Sequence, residues 1–336
     1  EDATPSTEPT QGMESGIYTA GHALETQSSG AVRVFPLSGS CDGIAFMGNT
    51  LLTFTQRNGK TAVTSYTGQN LTKRITVELN CEVLPGDKTL RVDQQRIGYY
   101  NRTDNCIVCL ASGLQESGRS YLPQNMVGEP VLCENMAAVV YCTANEVRSY
   151  SLETGINRLI RQQSAQSLSV EAALVEDSVV MCAITDNDSN SYVEFISAET
   201  GESLGADSSL VALHDWQNQY FLQRQDHLTT EYLFTAADGS QQRFHPNGEA
   251  SGVYGLVPMT AAVTVTRRDA GLTLRYFNLN TGKLTAEVFL EGVTDVRNLT
   301  ADPEQDAVWF LATEAATGKT LLCSWGVEYS PVADAA

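Results

Sequence analysis

The chemistry-bearing residues of this chain fall in a few short stretches. Cys106 and Cys109, in the run CIVC, have the spacing of a zinc or thiol-redox pair. Ile107 and Val108 make the run a strand, however, and residues three apart on a strand face opposite sides. The two sulfurs could not close on one ion, and no second Cys or His pair stands at ligand spacing, so the run reads as core packing. In TDNDSNS, Asp186, Asp188 and Asn190 match the first three oxygen ligands of a calcium loop. The match then fails, with Ser191 in place of the turn glycine and Ser197 in place of the bidentate glutamate, and the loop reads as a solvated hairpin. No metal is implied.

Nucleophilic catalysis fares no better. The four histidines are His22, His214, His227 and His245, and no Gly-x-Ser-x-Gly elbow accompanies them. His214 and Asp215, just before Trp216, read as a structural pair in preference to a site. Forty acidic residues guarantee some carboxylate pairs at glycosidase separations, which makes such pairs uninformative. Asn70, Asn101, Asn187 and Asn298 satisfy the glycosylation sequon, as chance allows in a chain this rich in Asn, Ser and Thr.

Charge excludes more than the motifs supply. Lys plus Arg number 21 against 40 Asp plus Glu, a net charge of −19, which argues against a nucleic-acid backbone or an anionic lipid surface as partner. No apolar run is long enough for a membrane helix. The opening EDATPSTEPTQGMESG is polar and has little to bury, so residues 1–30 are expected to form a disordered tether, of the kind left on a secreted protein or lipoprotein after processing. The eight cysteines, at 41, 81, 106, 109, 133, 142, 182 and 323, read as mostly free, buried thiols, since a chain of 336 residues has no need of disulfide staples.

The elements that must position any site are repeated ones. YSLETG (Tyr150 to Gly155) returns as FISAETG, LFTAADG and YFNLNTG, each an aromatic or alternating run ending in a glycine turn. Ahead of these lie seven short β-branched segments: LLTFTQ, RIGYYN, AVVYCT, SVVMCA, QYFLQR, AVTVTR and AVWFLA. A further strand candidate precedes each, and a more polar one follows the glycine turn. Four strands at a period of roughly 40 residues mark a propeller blade. A lone four-stranded sheet cannot cover both faces, whereas a closed ring of sheets hides them all.

The seventh unit, from about Thr294, has only three strand candidates before the chain reaches SPVADAA. AVRVFPL (Ala31 to Leu37) precedes the first unit and belongs to none, so it is expected to supply the missing outer strand, a position that Pro36 suits. The fold expected is all-β, a seven-bladed β-propeller of four-stranded antiparallel blades over 31–330, closed by the N-terminal strand, with 331–336 as a tail or linker.

The turns LETG, SAETG and LNTG, together with the repeat, resemble the β-propeller superfamily, and within it the quinoprotein-like and YVTN-type secreted propellers. The units lack Trp-Asp ends and Gly-His starts, and three tryptophans (Trp216, Trp309, Trp325) do not form the docking pattern of quinone-dependent propellers, so no cofactor is implied. The resemblance implies binding on one open face near the axis, through loops between blades and between second and third strands. Arg57, Arg102, Asp186, Asp188, Arg267 and Arg268 occupy such positions, with Tyr254 near the start of an inner strand. Arginines in so acidic a protein could grip carboxylated glycans or the acidic loop of a partner. The reading is therefore a secreted or surface-tethered, monomeric, non-catalytic module that binds a protein or polysaccharide. A glycan-active hydrolase or lyase, and an accessory domain of a larger envelope protein, are the alternatives.

Overall fold

The structure is a computed structural model. It describes residues 31–35, 37, 39–67, 71–174, 177–207, 210–216, 219–226, 229–235, 241–244, 252–256, 261–279, 281–302 and 307–329, with side chains for all of these but 174 and 207–256. The expected tether at 1–30 and tail at 331–336 lie outside them.

Strand β1 (Val32–Phe35) stands before seven antiparallel meanders. Blade 1 is β2 (Gly43–Met47), β3 (Thr50–Arg57), β4 (Lys60–Thr67) and β5 (Thr72–Leu79). Blade 2 is β6 (Leu90–Val92), β7 (Arg96–Asn101), β8 (Cys106–Ala111) and β9 (Glu116–Tyr121). Blade 3 is β10 (Val127–Leu132), β11 (Ala138–Cys142), β12 (Glu146–Ser151) and β13 (Asn157–Gln162). Blade 4 is β14 (Ser167–Leu174), β15 (Val179–Thr185), β16 (Ser191–Ser197) and β17 (Ser203–Asp207). Blade 5 is β18 (Leu210–Trp216), β19 (Gln219–Asp226), β20 (Thr229–Thr235) and β21 (Gln241–Phe244). Blade 6 is β22 (Gly252–Leu256), β23 (Ala261–Arg268), β24 (Gly271–Asn278) and β25 (Lys283–Glu291). Blade 7 is β26 (Val293–Asp302), β27 (Ala307–Glu314) and β28 (Thr320–Gly326), completed by β1.

The ring is closed. Every neighbouring pair of blades touches through a first strand, from β2 on β6 around to β22 on β26 and back from β26 to β2. The first strands therefore line the axis. The fourth strands form the rim, which is why β9 is polar and exposed along nearly its whole length. Closure follows the register expected of the N-terminal strand, with Val32 opposite Trp325, Arg33 opposite Ser324, Val34 opposite Cys323 and Phe35 opposite Leu322. Val34 and Phe35 are buried, each such side chain contributing about 1.5–3 kcal/mol.

Blade faces supply the core. Leu52, Phe54 and Val63 of blade 1 pack against Leu90, Ile97, Cys106 and Val108 of blade 2. Val140, Cys142 and Val147 of blade 3 pack against Val170, Val180 and Cys182 of blade 4. Cys106 lies in the core between blades 1 and 2 while Cys109 packs against the core between blades 2 and 3, so the two sulfurs of CIVC do face opposite sides. All eight cysteines are free, and seven are buried.

The recurring glycine turn has one geometry. In Ser151 to Gly155, Ser197 to Gly201 and Asn278 to Gly282, the glycine N–H donates to the carbonyl four residues back at 3.0, 2.9 and 2.8 Å. The threonine Oγ1 accepts the amide two residues ahead, from Ile156, Glu202 and Lys283. Glycine takes φ of +70°, +75° and +68°, a region costly to other residues, which explains its recurrence. Glu314 to Gly318 builds the same turn between β27 and β28.

Candidate functional site: a cationic cleft at the ring seam

Because every blade is an antiparallel meander, the hairpins between second and third strands share one end of the ring with the connections from each blade to the next. At this end the connection from β1 to β2 crosses in front of blade 1 and leaves a cleft of about 410 Å³. Its back wall is one face of blade 1, built by period-2 alternation from Thr53, Thr55 and Arg57 on β3 and Lys60, Ala62, Thr64 and Tyr66 on β4, and continued on β5 by Thr76 and Glu78 and, across a register shift, by Lys73. Register aligns them into rows, Thr53 beside Thr64 beside Thr76, and Arg57 beside Lys60. Its front wall is Leu37, Gly39, Ser40 and Cys41.

A propeller blade ordinarily buries both faces, and blade 1 does so along its whole length only toward blade 2. Toward blade 7, Ile44, Leu51 and Tyr66 join Phe35, Trp309 and Leu322 in an apolar cluster at the foot of the seam. Farther along the same face the side chains turn to hydroxyls and then to cations. Arg57 and Lys60 are exposed at the hairpin end, Lys73 is exposed at the opposite end beside Tyr66, and Thr53 and Tyr66 are buried between the walls.

The polar groups are partly engaged. Thr55 Oγ1 donates to the Ser40 carbonyl at 2.7 Å, and Arg57 Nη2 donates to Ser40 Oγ at 3.3 Å. The hydroxyls of Thr64 and Thr76 are 3.0 Å apart. Lys60 forms an ion pair with Glu78. Nearby Asp42 and Glu82 are turned to backbone, accepting the amides of Gln56 at 2.8 Å and Gly59 at 3.2 Å. The lining itself carries three cations against one carboxylate, in a chain of net charge −19, with Asp42 and Glu82 just outside it. Burial pushes the Tyr66 phenol up, opposed by a hydrogen bond with Thr53. Burial likewise pushes the Cys41 thiol to about 12, and its Sγ donates to the Gly43 carbonyl at 3.3 Å, so it is not an activated nucleophile.

Of the residues singled out in the sequence, Arg57 alone among those with described side chains lines this cleft. Arg102 forms an ion pair with Glu129 of blade 3. Asp186 caps its own hairpin, its Oδ1 accepting the amides of Asp188 and Asn190 at 2.9 Å each and its Oδ2 the side-chain amide of Asn190 at 3.1 Å; the Asn190 side chain first, then these backbone amides, hold its carboxyl below the usual range. Asp188 is exposed in that hairpin. Arg267 donates to the Thr294 carbonyl of blade 7 at 3.3 Å, and Arg268 is exposed beside it. Tyr254 is on β22, and its side chain, like that of His214, lies outside those described; His22, His227 and His245 lie outside the described residues altogether. Asn298 does not project as a glycan acceptor, since its Oδ1 accepts the Ile44 amide.

Near the axis a second charged group appears. Lys88 Nζ, on the way into blade 2, donates to the Val170 carbonyl of blade 4 at 2.7 Å and stands 3.4 Å from Glu171 Oε2. A register shift in β14 between Val170 and Ala172 puts Glu171 in the bulge. Among the described residues no group of three or more His, Cys, Asp or Glu is placed to hold a metal ion.

Lys60, Lys73, Thr53, Thr64, Thr76 and Tyr66 were not picked out by motif. Their signal was present only in part, as the hydroxyl and charged residues that interrupt β3 and β4 at every second position, where both-face burial calls for near-continuous apolar runs.

No family model matches the chain, and no curated protein does either. Solved structures do. The hydrazine synthase of Kuenenia stuttgartiensis matches at 11% identity and a TM-score of 0.50, over 92% of this chain and 99% of that one. A prolyl endopeptidase matches at 13% and 0.54, over 85% of this chain and 50% of that one. An oligogalacturonate lyase from Vibrio parahaemolyticus matches at 12% and 0.58, over 94% and 98%. At such identities the likeness is one of fold, and with seven four-stranded blades closed by their own N-terminal strand the chain is a β-propeller, a fold it shares with catalytic proteins.

Proposed function

We propose that this propeller is a binding module without chemistry of its own, displayed outside the cell or on its envelope, and that it takes its protein or glycan ligand at the seam cleft. The observation that carries this reading is the composition of the cleft. It offers cations, hydroxyls and a phenol in a concave site, the usual furniture of recognition. Its one lining carboxylate is committed to Lys60, and its one thiol is held protonated, so the described lining supplies neither a pair of carboxylates nor an activated thiol.

A second reading, a hydrolase or lyase acting in the central depression, draws support from the Lys88 and Glu171 pair beside the axis and from a fold held in common with a lyase and a peptidase. The two readings separate in one screen. The intact protein is offered acidic and neutral polysaccharides and scored both for retention and for newly released chain ends. Retention without release is the expected result; catalytic release of ends overturns the proposal and favours the axial site.

A further inference from the structure

We infer that the seam cleft is a site for a carboxylate-bearing saccharide, and that filling it clasps the closing strand to blade 1. The inference rests on the binding reading above and adds to it a ligand class and a consequence for the ring.

The ligand class follows from what the walls present. The back wall is a sheet face, whose backbone groups are already paired with neighbouring strands in the registers of β3, β4 and β5. An extended peptide would need an unpaired strand edge to bond its own backbone, and the free edges of this sheet, at β2 and β5, lie in its plane and not on the face that lines the cleft. It presents side chains instead: hydroxyls of Thr53, Thr55, Thr64 and Thr76 in rows, with the Tyr66 ring at the floor. Such a surface matches a ligand that carries many hydroxyls of its own. The cations at its two ends, Arg57 and Lys60 at the hairpin and Lys73 beside Tyr66, match an anion. Arg57 spends one hydrogen bond on Ser40 and keeps other guanidinium donors for a carboxylate, while Lys73, opposite Tyr66 in register, supplies a second positive charge. The volume of about 410 Å³ sits at the small end of ligand sites and suits a short oligosaccharide.

The clasp follows from who owns the walls. Blade 1 forms the back, and the connection running from β1, the strand that closes blade 7, forms the front. At present Thr55 and Arg57 reach Ser40 across the gap. A ligand held by Arg57 and Lys73 against that connection adds bonds that exist only while β1 is docked, so its binding energy adds to closure by linkage.

The test uses the full chain with a tri-uronate as probe, its neutral trisaccharide counterpart, and inorganic sulfate. The uronate is expected to bind, to raise the unfolding midpoint saturably, and to slow amide exchange in 37–41 and 60–66; its affinity should fall with added salt. Arg57→Ala and Lys73→Ala, both at exposed positions, should each weaken it about tenfold, as loss of a charged hydrogen bond does, whereas Lys319→Ala on the same end of the ring should leave it unchanged. Binding of the uronate with Arg57→Ala and Lys73→Ala equal to wild type, or exchange protection confined elsewhere, overturns this inference and leaves the binding reading standing. Equal binding of sulfate or of the neutral sugar overturns the ligand class. Cleavage of the uronate overturns the binding reading itself, whatever the cleft variants do.

Discussion

Asn298 Oδ1 accepts the backbone N–H of Ile44 at 2.9 Å, tying the inner strand of blade 7 to that of blade 1 across 254 positions of sequence. The side chain acts as a stand-in for a missing strand partner. It can do so because Asn298 sits in the β26 bulge at φ +55°, a left-handed conformation that asparagine tolerates better than most residues. Ile44 is itself buried, so its amide would otherwise go unpaired out of reach of water.

Replacing that acceptor should loosen the ring at its seam. Asn298→Gly keeps the backbone conformation and loses the bond, and is expected to cost about 1–3 kcal/mol in denaturant unfolding. Asn298→Ala should cost roughly 1 kcal/mol more, because alanine resists positive φ. Asn298→Asp retains an acceptor and should recover most of the loss. Equal stability in all three variants would mean that the bond does not support closure.

The repeated Thr-Gly turns are alike in conformation but not in surroundings. A Cβ on Gly201 would fall 2.2 Å from the Ile160 carbonyl oxygen of blade 3, while one on Gly282 would meet nothing within 4 Å. Gly282→Ala should therefore lose only the conformational preference, about 1 kcal/mol. Gly201→Ala must also push two blades apart and should lose more than twice as much. Thermal or urea unfolding of the pair checks the difference, and a Gly201 variant as stable as the Gly282 variant would contradict the packing of blade 4 on blade 3.

The buried thiols make stability depend on alkaline pH. Burial pushes Cys41, Cys81 and Cys142 to about 12 from 9.0, and Cys133, Cys182 and Cys323 up as well. In each case the folded value lies above the unfolded one. The contribution is thus whole below pH 9, where neither state ionises, and is lost as pH rises from 9 toward 12, where the unfolded chain releases protons that the folded one keeps. Each thiol adds at most about 1.4 kcal/mol per pH unit to that decline. Urea midpoints should be flat from pH 7 to 8.5 and fall beyond 9. Native protein should also resist thiol reagents at pH 8, with the half-buried Cys109 reacting first. Rapid labelling of several thiols before unfolding would contradict this burial.

Much of the ring was legible because its information is local and repeated. RIGYYN is a strand with the bounds its pattern implies. The orphan strand was legible by subtraction, since blade 7 had three strands and β1 had no sheet. Bulges were not legible: the first strand of the seventh unit, expected from about Thr294, runs over ten residues with two register shifts. The site was less legible because it is not local. Arg102 looked available until Glu129, 27 positions on, took it up. Arg57 was placed at the cleft only when the connection at Ser40 was laid against blade 1. The turn at Glu314 to Gly318 escaped notice because it joins second and third strands instead of third and fourth.

The central claim is that β1 completes blade 7, and the register offers a direct measurement of it. Val34, 1% exposed, lies opposite the native, fully buried Cys323, and both face the core between blades 6 and 7. The variant Val34→Cys, folded under oxidising conditions and digested for mass spectrometry, should yield a single new disulfide between positions 34 and 323, as neighbouring cross-strand residues allow. A thiol at position 34 that reacts freely with reagent in the native protein, or that pairs with any other cysteine, would contradict the closed ring and with it the seam cleft.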